Sequence, residues 1–241
     1  AEAVPDTSFT NAWFEMISAF TTTGATVYEP ARLPDAVHLW RALVGWFGGF
    51  LTLLAAYAIL APLNLGGSEV ASGRVPGRGT QGASQVTRTA EPTDRLVRFT
   101  LQLFPVYTAL TLVLWVALLV AGDKGVNGLI LAMGTLSTSG IVGHSAPGAE
   151  ASGMVGEGLI LAFLLFAITR QALPTPGPVR TVRSLLGDVE LQLAAAIILG
   201  VTMILFLRHW IAVDAGVAPV EDANALPSLW GVLFTVTSFL T

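Results

Sequence analysis

Residues 11–25 read NAWFEMISAFTTTGA, and residues 126–140 read VNGLILAMGTLSTSG. In each stretch a short apolar run is followed by three hydroxyl side chains and a glycine. The two glycines, Gly24 and Gly140, are 116 positions apart. A lone TTTG is typical of an ordinary turn, but its recurrence after a similar apolar run predicts internal repeats, each with one copy of the pattern.

A third copy begins close to residue 241. Residues 225–240 form another apolar run, and they lead to Thr241, which follows Ser137 by 104 positions. The sequence starts AEAVPDTSF, without Met or a basic leader. It is therefore expected to come from within a longer protein.

The composition indicates an integral membrane protein. Of 241 residues, 53% are hydrophobic and only 12% are charged, and the mean hydropathy is +0.69. Soluble domains carry about 25% charged residues, which is roughly twice this fraction. The net charge of −4 argues against a nucleic-acid binder, and the absence of cysteine excludes disulfides and thiolate metal sites.

Four apolar stretches are predicted to span the bilayer, because a spanning helix needs about 20 apolar residues. They are residues 39–62, 99–121, 152–170 and 190–211. The two loops that follow the first and third spans hold 8 of the 12 basic residues, whereas the other side holds 11 of the 16 acidic ones. The basic excess marks the cytoplasmic side, so the hydroxyl–glycine stretches are expected to be external.

The short apolar runs are expected to be re-entrant helices. Runs of about 10–14 residues are too short to cross the membrane, which applies to residues 11–20 and 126–136. Irregular backbone at membrane depth is tolerated only where protein or a water-filled cavity surrounds it. The hydroxyl–glycine stretches are therefore expected to line a pathway.

The residue types in these stretches suit a dehydrated cation. Backbone carbonyls can replace the water shell of an ion, glycine permits the positive φ that such a backbone needs, and hydroxyls add neutral acceptors. Neither stretch contains a carboxylate, which favours monovalent over divalent cations.

At this point a family resemblance is visible. The run AWFEMISAFTTTGAT (residues 12–26), followed by WRALVGWFGGF (residues 40–50), resembles the first pore segment and following helix of the Trk/Ktr/HKT family of potassium transport proteins, TrkH-like members in particular. In that family, four span–pore–span repeats surround one cation pathway, and each repeat contributes a filter strand.

The resemblance implies filter positions, partners and a location. Carried over by position, the filter residues are Thr21, Thr22, Thr23, Gly24 and Ala25 in repeat one, Ser137, Thr138, Ser139, Gly140 and Ile141 in repeat two, and Thr241 in repeat three. K⁺ is the implied transported ion, bound at these residues, and no cofactor is implied. The implied partners are the lipid bilayer, a second copy in a homodimer, and a cytosolic nucleotide-binding subunit of the RCK type. The implied location is a bacterial inner membrane.

The expected fold is an all-α membrane protein with repeated span–re-entrant pore helix–span units around a central ion pathway. Residues 1–62 would form the pore helix, filter and inner helix of repeat one, residues 63–98 a cytoplasmic linker, residues 99–171 repeat two, residues 172–189 a second linker, and residues 190–241 the outer and pore helices of repeat three.

Two charged residues near the first hydroxyl–glycine stretch leave alternatives open. Glu15 lies within a predicted pore helix, where a carboxylate is unfavourable unless paired. It therefore either hydrogen-bonds behind the filter or is simply exposed. Arg41 either tunes the field of the pore or anchors its helix at the membrane interface, and the anchor is the favoured interpretation.

Other polar and small residues have structural interpretations. A glycine face on the helix after the first filter predicts close helix packing; its members are Gly45, Gly48 and Gly49. Three histidines are too scattered in the sequence to suggest a metal site, so interfacial or capping roles are favoured; they are His38, His144 and His209.

The sequence thus predicts a potassium uptake subunit and no enzyme, since it has no catalytic triad, paired catalytic carboxylates or nucleotide-binding glycine loop. Two rivals remain. A non-conducting membrane remnant or scaffold would have the same composition, and a secondary carrier with broken helices would have similar short apolar segments.

Overall fold

The computed structural model describes residues 7–56, 92–168, 189–214 and 225–240, and these residues form helices and connecting loops without a β-strand. The helices are α1 (Phe9–Phe20), α2 (Asp35–Ala55), α3 (Pro92–Ala121), α4 (Gly125–Leu136), α5 (Gly153–Ile168), α6 (Val189–Asp214) and α7 (Ala225–Leu240). The all-α class predicted from the sequence is confirmed for this part of the chain.

The predicted spans correspond to α2, α3, α5 and α6. Two helical stretches, Asp35–Ala55 and Leu96–Ala121, are long and apolar enough to cross a membrane. Helix α2 begins four residues before the expected start of the first span, because Pro34 caps its first turn and a proline is well tolerated at a helix start. Residues 57–62 of that span, the predicted linkers up to residue 91 and from residue 172 to 188, and Thr241 lie outside the described residues.

The three short apolar runs are helices, as predicted. Helices α1 and α4 each have 12 residues, and α7 has 16. Helix α1 starts at an N-cap, Ser8, whose hydroxyl accepts a hydrogen bond from the backbone N–H of Asn11. A serine at this position satisfies one of the donors that the first helical turn leaves unpaired.

The chain divides into two compact units, of which the first comprises residues 1–116 and 125–145. In this unit α2 packs against both α1 and α4. Polar and aromatic contacts fix α2 to α3: Trp46 Nε1 donates to Thr111 Oγ1 at 2.9 Å, and the Tyr107 hydroxyl donates to the Trp46 carbonyl at 3.2 Å. Indole and phenol groups need such partners when they are buried.

The second unit comprises residues 117–124 and 146–241. In it α7 packs against α5 and α6, and Trp230 Nε1 donates to a carboxylate oxygen of Glu157 on α5. The Ser152 hydroxyl donates to Asp123 Oδ1 at 2.6 Å. This bond fixes the start of α5 to the loop before α4.

Candidate functional site

Segment one, residues 21–25, follows the last turn of α1 and is tied back to it. The N–H groups of Thr21, Thr22 and Thr23 donate to the carbonyls of Ile17, Ala19 and Ser18, at 2.8, 3.0 and 3.0 Å. The Gly24 N–H also donates to Ser18 O, at 3.3 Å. These bonds satisfy carbonyls that the end of a helix would otherwise leave unpaired.

Segment two, residues 137–141, repeats this pattern after α4. The N–H groups of Ser137, Thr138 and Ser139 donate to the carbonyls of Met133, Thr135 and Gly134, at 3.0, 3.1 and 3.0 Å. Every donor and every acceptor lies 116 positions after its counterpart in segment one. The sequence repeat is therefore also a repeat of backbone geometry.

The hydroxyl groups repeat as well. Thr21 Oγ1 donates to Ile17 O at 2.8 Å, and Ser137 Oγ donates to Met133 O at 2.8 Å. The first and third hydroxyls of each segment are also in contact, at 2.8 Å between Thr21 and Thr23 and at 2.9 Å between Ser137 and Ser139. Both segments thus hold a hydroxyl pair against a helix C-terminus.

The hydrogen bonds determine the direction of the carbonyls. In a planar trans peptide, the C=O of one residue points opposite to the N–H of the next. Because the N–H groups of residues 22, 23 and 24 point back toward α1, the carbonyls of residues 21, 22 and 23 point away from it. In segment two the N–H groups of residues 138 and 139 point back toward α4, so the carbonyls of residues 137 and 138 point away from it. Carbonyls in such rows are the ligands from which ion-selective filters are built.

Two residues in each segment have left-handed backbone conformations. The φ angles are 56° at Thr22 and 70° at Gly24, and 50° at Thr138 and 62° at Gly140. A threonine with positive φ is uncommon, and such strain concentrates at functional sites. The pairing of these strained threonines at equivalent positions marks both segments as functional candidates.

The two segments meet at Gly24. A Cβ atom on Gly24 would overlap the carbonyl oxygen of Ser139. The tertiary structure therefore brings together two predicted site segments that are far apart in the sequence. Thr241, the predicted start of the third, lies outside the part of the chain that the structure describes.

The glycine face of α2 sits against both segments. A Cβ on Gly48 would overlap the Phe20 carbonyl, a Cβ on Gly49 would lie 2.8 Å from Ser137 Cβ, and a Cβ on Gly45 would lie 2.8 Å from Ile141 Cδ1. The predicted close packing is confirmed. The sequence did not indicate its partners, which are the end of α1 and residues Ser137 and Ile141 of segment two.

Glu15 is buried behind segment one, so its interpretation as an exposed residue is wrong. The residue is 2% exposed, and its Oε1 accepts hydrogen bonds from Thr26 Oγ1 and from the Val27 N–H, both at 2.7 Å. Its Oε2 lies 2.8 Å from Nε of Arg41. One carboxylate thus joins α1, the chain after segment one, and α2.

The favoured interpretation of Arg41 as an interfacial anchor is also wrong. Arg41 is 4% exposed, and its charge is balanced by Glu15. A buried guanidinium needs such a partner, because removing an ion from water is strongly unfavourable. The proximity of this residue to Glu15 had no signal in the sequence, since the two lie on different helices.

Two of the three histidines come together, contrary to their scattered positions in the sequence. The rings of His38 and His144 are 4.6 Å apart, edge to face. His144 Nε2 lies 3.1 Å from Asp35 Oδ1, and His38 Nε2 lies 3.0 Å from the Pro30 carbonyl. Within the described ranges no group of three or more His, Cys, Asp or Glu residues could hold a metal ion. The side chain of His209 is outside the described part.

The structure shows a helical chain with two membrane-length helices and two hydroxyl–glycine segments of matched backbone geometry. The chain is similar to the Trk system potassium uptake protein TrkH of Vibrio parahaemolyticus, with 32% identity over 143 residues, which is 59% of this chain and 28% of that protein. It is also similar to TrkH of Halomonas elongata, with 26% identity over 234 residues, or 96% of this chain and 45% of that protein.

A further relative is the Trk system potassium uptake protein TrkG of Escherichia coli, with 27% identity over 205 residues, or 84% of this chain and 41% of that protein. No family model matches the chain. The chain spans less than half of the length of each of these three relatives. The resemblance to Trk-type potassium transport proteins is thereby confirmed.

Proposed function

We propose that this chain forms part of a potassium uptake pathway in a bacterial inner membrane. K⁺ passes through a filter to which segments one and two contribute backbone carbonyls and threonine and serine hydroxyls. Thr241 opens a third strand. The observation that carries the proposal is the matched direction of successive carbonyls in two segments that meet at Gly24 and Ser139.

The remaining architecture follows from the same proposal. The chain supplies repeated span–pore helix–span units: repeat one in residues 1–62, repeat two in residues 99–171 and the start of repeat three in residues 190–241. Linkers connect them on the cytoplasmic side. A homodimer and a cytosolic nucleotide-binding subunit of the RCK type complete the system.

The helix ends favour cations over anions. Helices α1 and α4 both end at the segments, and the C-terminal end of a helix carries a partial negative charge. The carbonyls that point away from these ends add to the same field. Glu15 supports segment one from behind, and because Arg41 balances its charge, the pair adds geometry without adding a net charge that would trap the ion.

The test is the selectivity of a Gly24→Ser variant in the full-length coding sequence, measured as ⁸⁶Rb⁺ against ²²Na⁺ uptake in proteoliposomes. A serine Cβ at residue 24 would overlap the Ser139 carbonyl and would oppose the φ of 70°. We therefore expect discrimination between the two ions to be lost.

The matched control is Gly200→Ser, at an exposed position of α6 where a Cβ meets no atom within 4 Å. It should retain the selectivity of the parent protein. Unchanged selectivity in Gly24→Ser would refute the filter assignment. Saturable exchange without rubidium flux would indicate a carrier instead, and a parent protein without any flux would indicate a non-conducting scaffold.

A further inference from the structure

Asn127, in the first turn of α4, has a buried amide that the helix itself does not use. The residue is 8% exposed, and neither Nδ2 nor Oδ1 has a hydrogen-bond partner among the described residues. Buried polar side chains are nearly always hydrogen-bonded, to protein or to ordered water. An amide whose nitrogen and oxygen are both unpaired therefore points to a ligand that can both accept and donate a hydrogen bond.

The amide faces the chain that leaves segment two. A Cβ on Gly143 would lie 2.6 Å from Asn127 Oδ1. Gly143 is not among the glycines with positive φ, so its backbone conformation gives no reason for a glycine. The reason is the close approach of the Asn127 amide to this backbone.

The equivalent place behind segment one is filled by a carboxylate. Residue 143 corresponds to Val27 at the interval of 116 positions, and the Val27 N–H donates to Glu15 Oε1 at 2.7 Å. The counterpart of Glu15 is Leu131, which cannot accept a hydrogen bond. Asn127 lies four residues before Leu131, so it occupies the same face of α4 one turn earlier.

We propose that Asn127 binds a single water molecule behind segment two and that this water connects the amide to the backbone around Gly143. The water would hold the end of segment two as the Glu15 carboxylate holds the end of segment one. Asn127 is then a positioning residue for the filter, and the effect on transport rests on the proposed function. Water suits this place because it both donates and accepts and because two to four polar partners are sufficient to hold it.

A potassium ion fits the same place poorly. An ion needs several oxygens at once, whereas the amide offers one oxygen beside a donor. The neighbouring positions 131 and 142 are a leucine and a valine. No carboxylate of the described residues forms a hydrogen bond with the Asn127 amide.

The direct test is an experimental structure of the full-length protein in rubidium, at a resolution that shows ordered water. We expect a density peak within hydrogen-bonding distance of the Asn127 amide, without anomalous signal from rubidium. A rubidium peak at this position would overturn the proposal in favour of an ion site. An amide that bonds directly to the backbone, with no peak beside it, would overturn it as well.

The functional test compares two asparagines at equivalent positions. Asn127→Leu should lower the Rb⁺-to-Na⁺ flux ratio about tenfold, as expected when a buried hydrogen-bonding group is lost. Asn11→Leu is the matched control, since residue 11 has the same register in α1 and is exposed. Equal effects of the two variants on selectivity would refute a specific role for Asn127.

A second pair keeps the proposal testable if Asn127→Leu does not fold. Gly143→Ala places a methyl group against the amide oxygen and should lower selectivity in the same direction. Gly125→Ala, in the same turn of α4, meets no atom within 4 Å and should not. A parent protein that does not transport rubidium would refute the proposed function, whereas a selective parent without the water peak would refute only this inference.

Discussion

Segments one and two have the same backbone but different surroundings. Three backbone hydrogen bonds to the preceding helix are the same in both segments, and the positive φ angles fall at equivalent residues. Yet Thr21 and Thr23 are exposed in segment one, whereas Ser137 and Ser139 are each 3% exposed in segment two. The conformation is therefore a property of the local sequence, and the environment is a property of the fold.

The residues that pack behind the two segments also differ. Glu15 and Arg41 form a buried ion pair behind segment one, and their counterparts at the repeat interval are Leu131 and Glu157. Segment one is held by charge and hydrogen bonds, whereas Ser137 and Ile141 of segment two pack closely against Gly49 and Gly45 of α2. Two segments with the same backbone geometry can thus be stabilised by unrelated means.

The largest effect is expected from breaking the ion pair. Arg41→Met leaves the Glu15 carboxylate buried without its counter-charge, which destabilises by about 3–5 kcal/mol. The expected result is a large decrease in the thermal midpoint of the purified protein in detergent, together with loss of rubidium selectivity.

The double variant Glu15→Gln/Arg41→Met sharpens this result, because it removes both charges and should recover part of the stability. Leu131→Met, at the position equivalent to Glu15 behind segment two, is the control, since a volume-conserving change usually destabilises by less than about 1.5 kcal/mol. If Arg41→Met is no more destabilising than Leu131→Met, segment one does not depend on the pair.

An intermediate effect is expected from substitutions of Gly24 and Gly140, the glycines at equivalent positions of the two segments. Gly24→Ala and Gly140→Ala both place an alanine at a left-handed φ, which is unfavourable by about 1–2 kcal/mol. Only the Cβ of an alanine at residue 24 would also overlap a carbonyl oxygen, that of Ser139. A Cβ at residue 140 would have no atom within 4 Å.

Denaturant unfolding of both alanine variants should therefore show a larger loss of stability for Gly24→Ala. Equal losses would mean that the segments do not meet at Gly24. A larger loss for Gly140→Ala would reverse the comparison and would place the tighter contact at segment two.

The smallest effect concerns the residue three positions before each segment. Ser18 Oγ donates to the Ala25 carbonyl at 2.6 Å, whereas the equivalent Gly134 lies so close to Ile141 that a Cβ would be 2.5 Å from its carbonyl oxygen. Ser18→Ala should destabilise by about 1 kcal/mol through one lost hydrogen bond.

Gly134→Ala should destabilise more than Ser18→Ala, because a methyl group has no room beside the Ile141 carbonyl. Differential scanning fluorimetry of the two variants measures the order. The opposite order would show that the hydrogen bond at residue 18 supports its segment more strongly than the close packing at residue 134.

The sequence alone determined the helices, the repeat and the chemical type of the segments. Apolar runs of distinct lengths predict both the long and the short helices. The recurrence of three hydroxyls and a glycine predicts the equivalence of Thr21–Ala25 and Ser137–Ile141. These features depend on residues that are close together in the chain, so local patterns carry them.

Only the tertiary structure decided which residues support the segments. Glu15 pairs with Arg41, which is 26 positions away in the sequence. Gly48 and Gly49 contact residues at the ends of two different helices. The Asn127 amide lies close to Gly143. The favoured interpretation of Arg41 failed for this reason. The surroundings of a charged side chain depend on the packing of other helices, and no periodicity in its own helix encodes them.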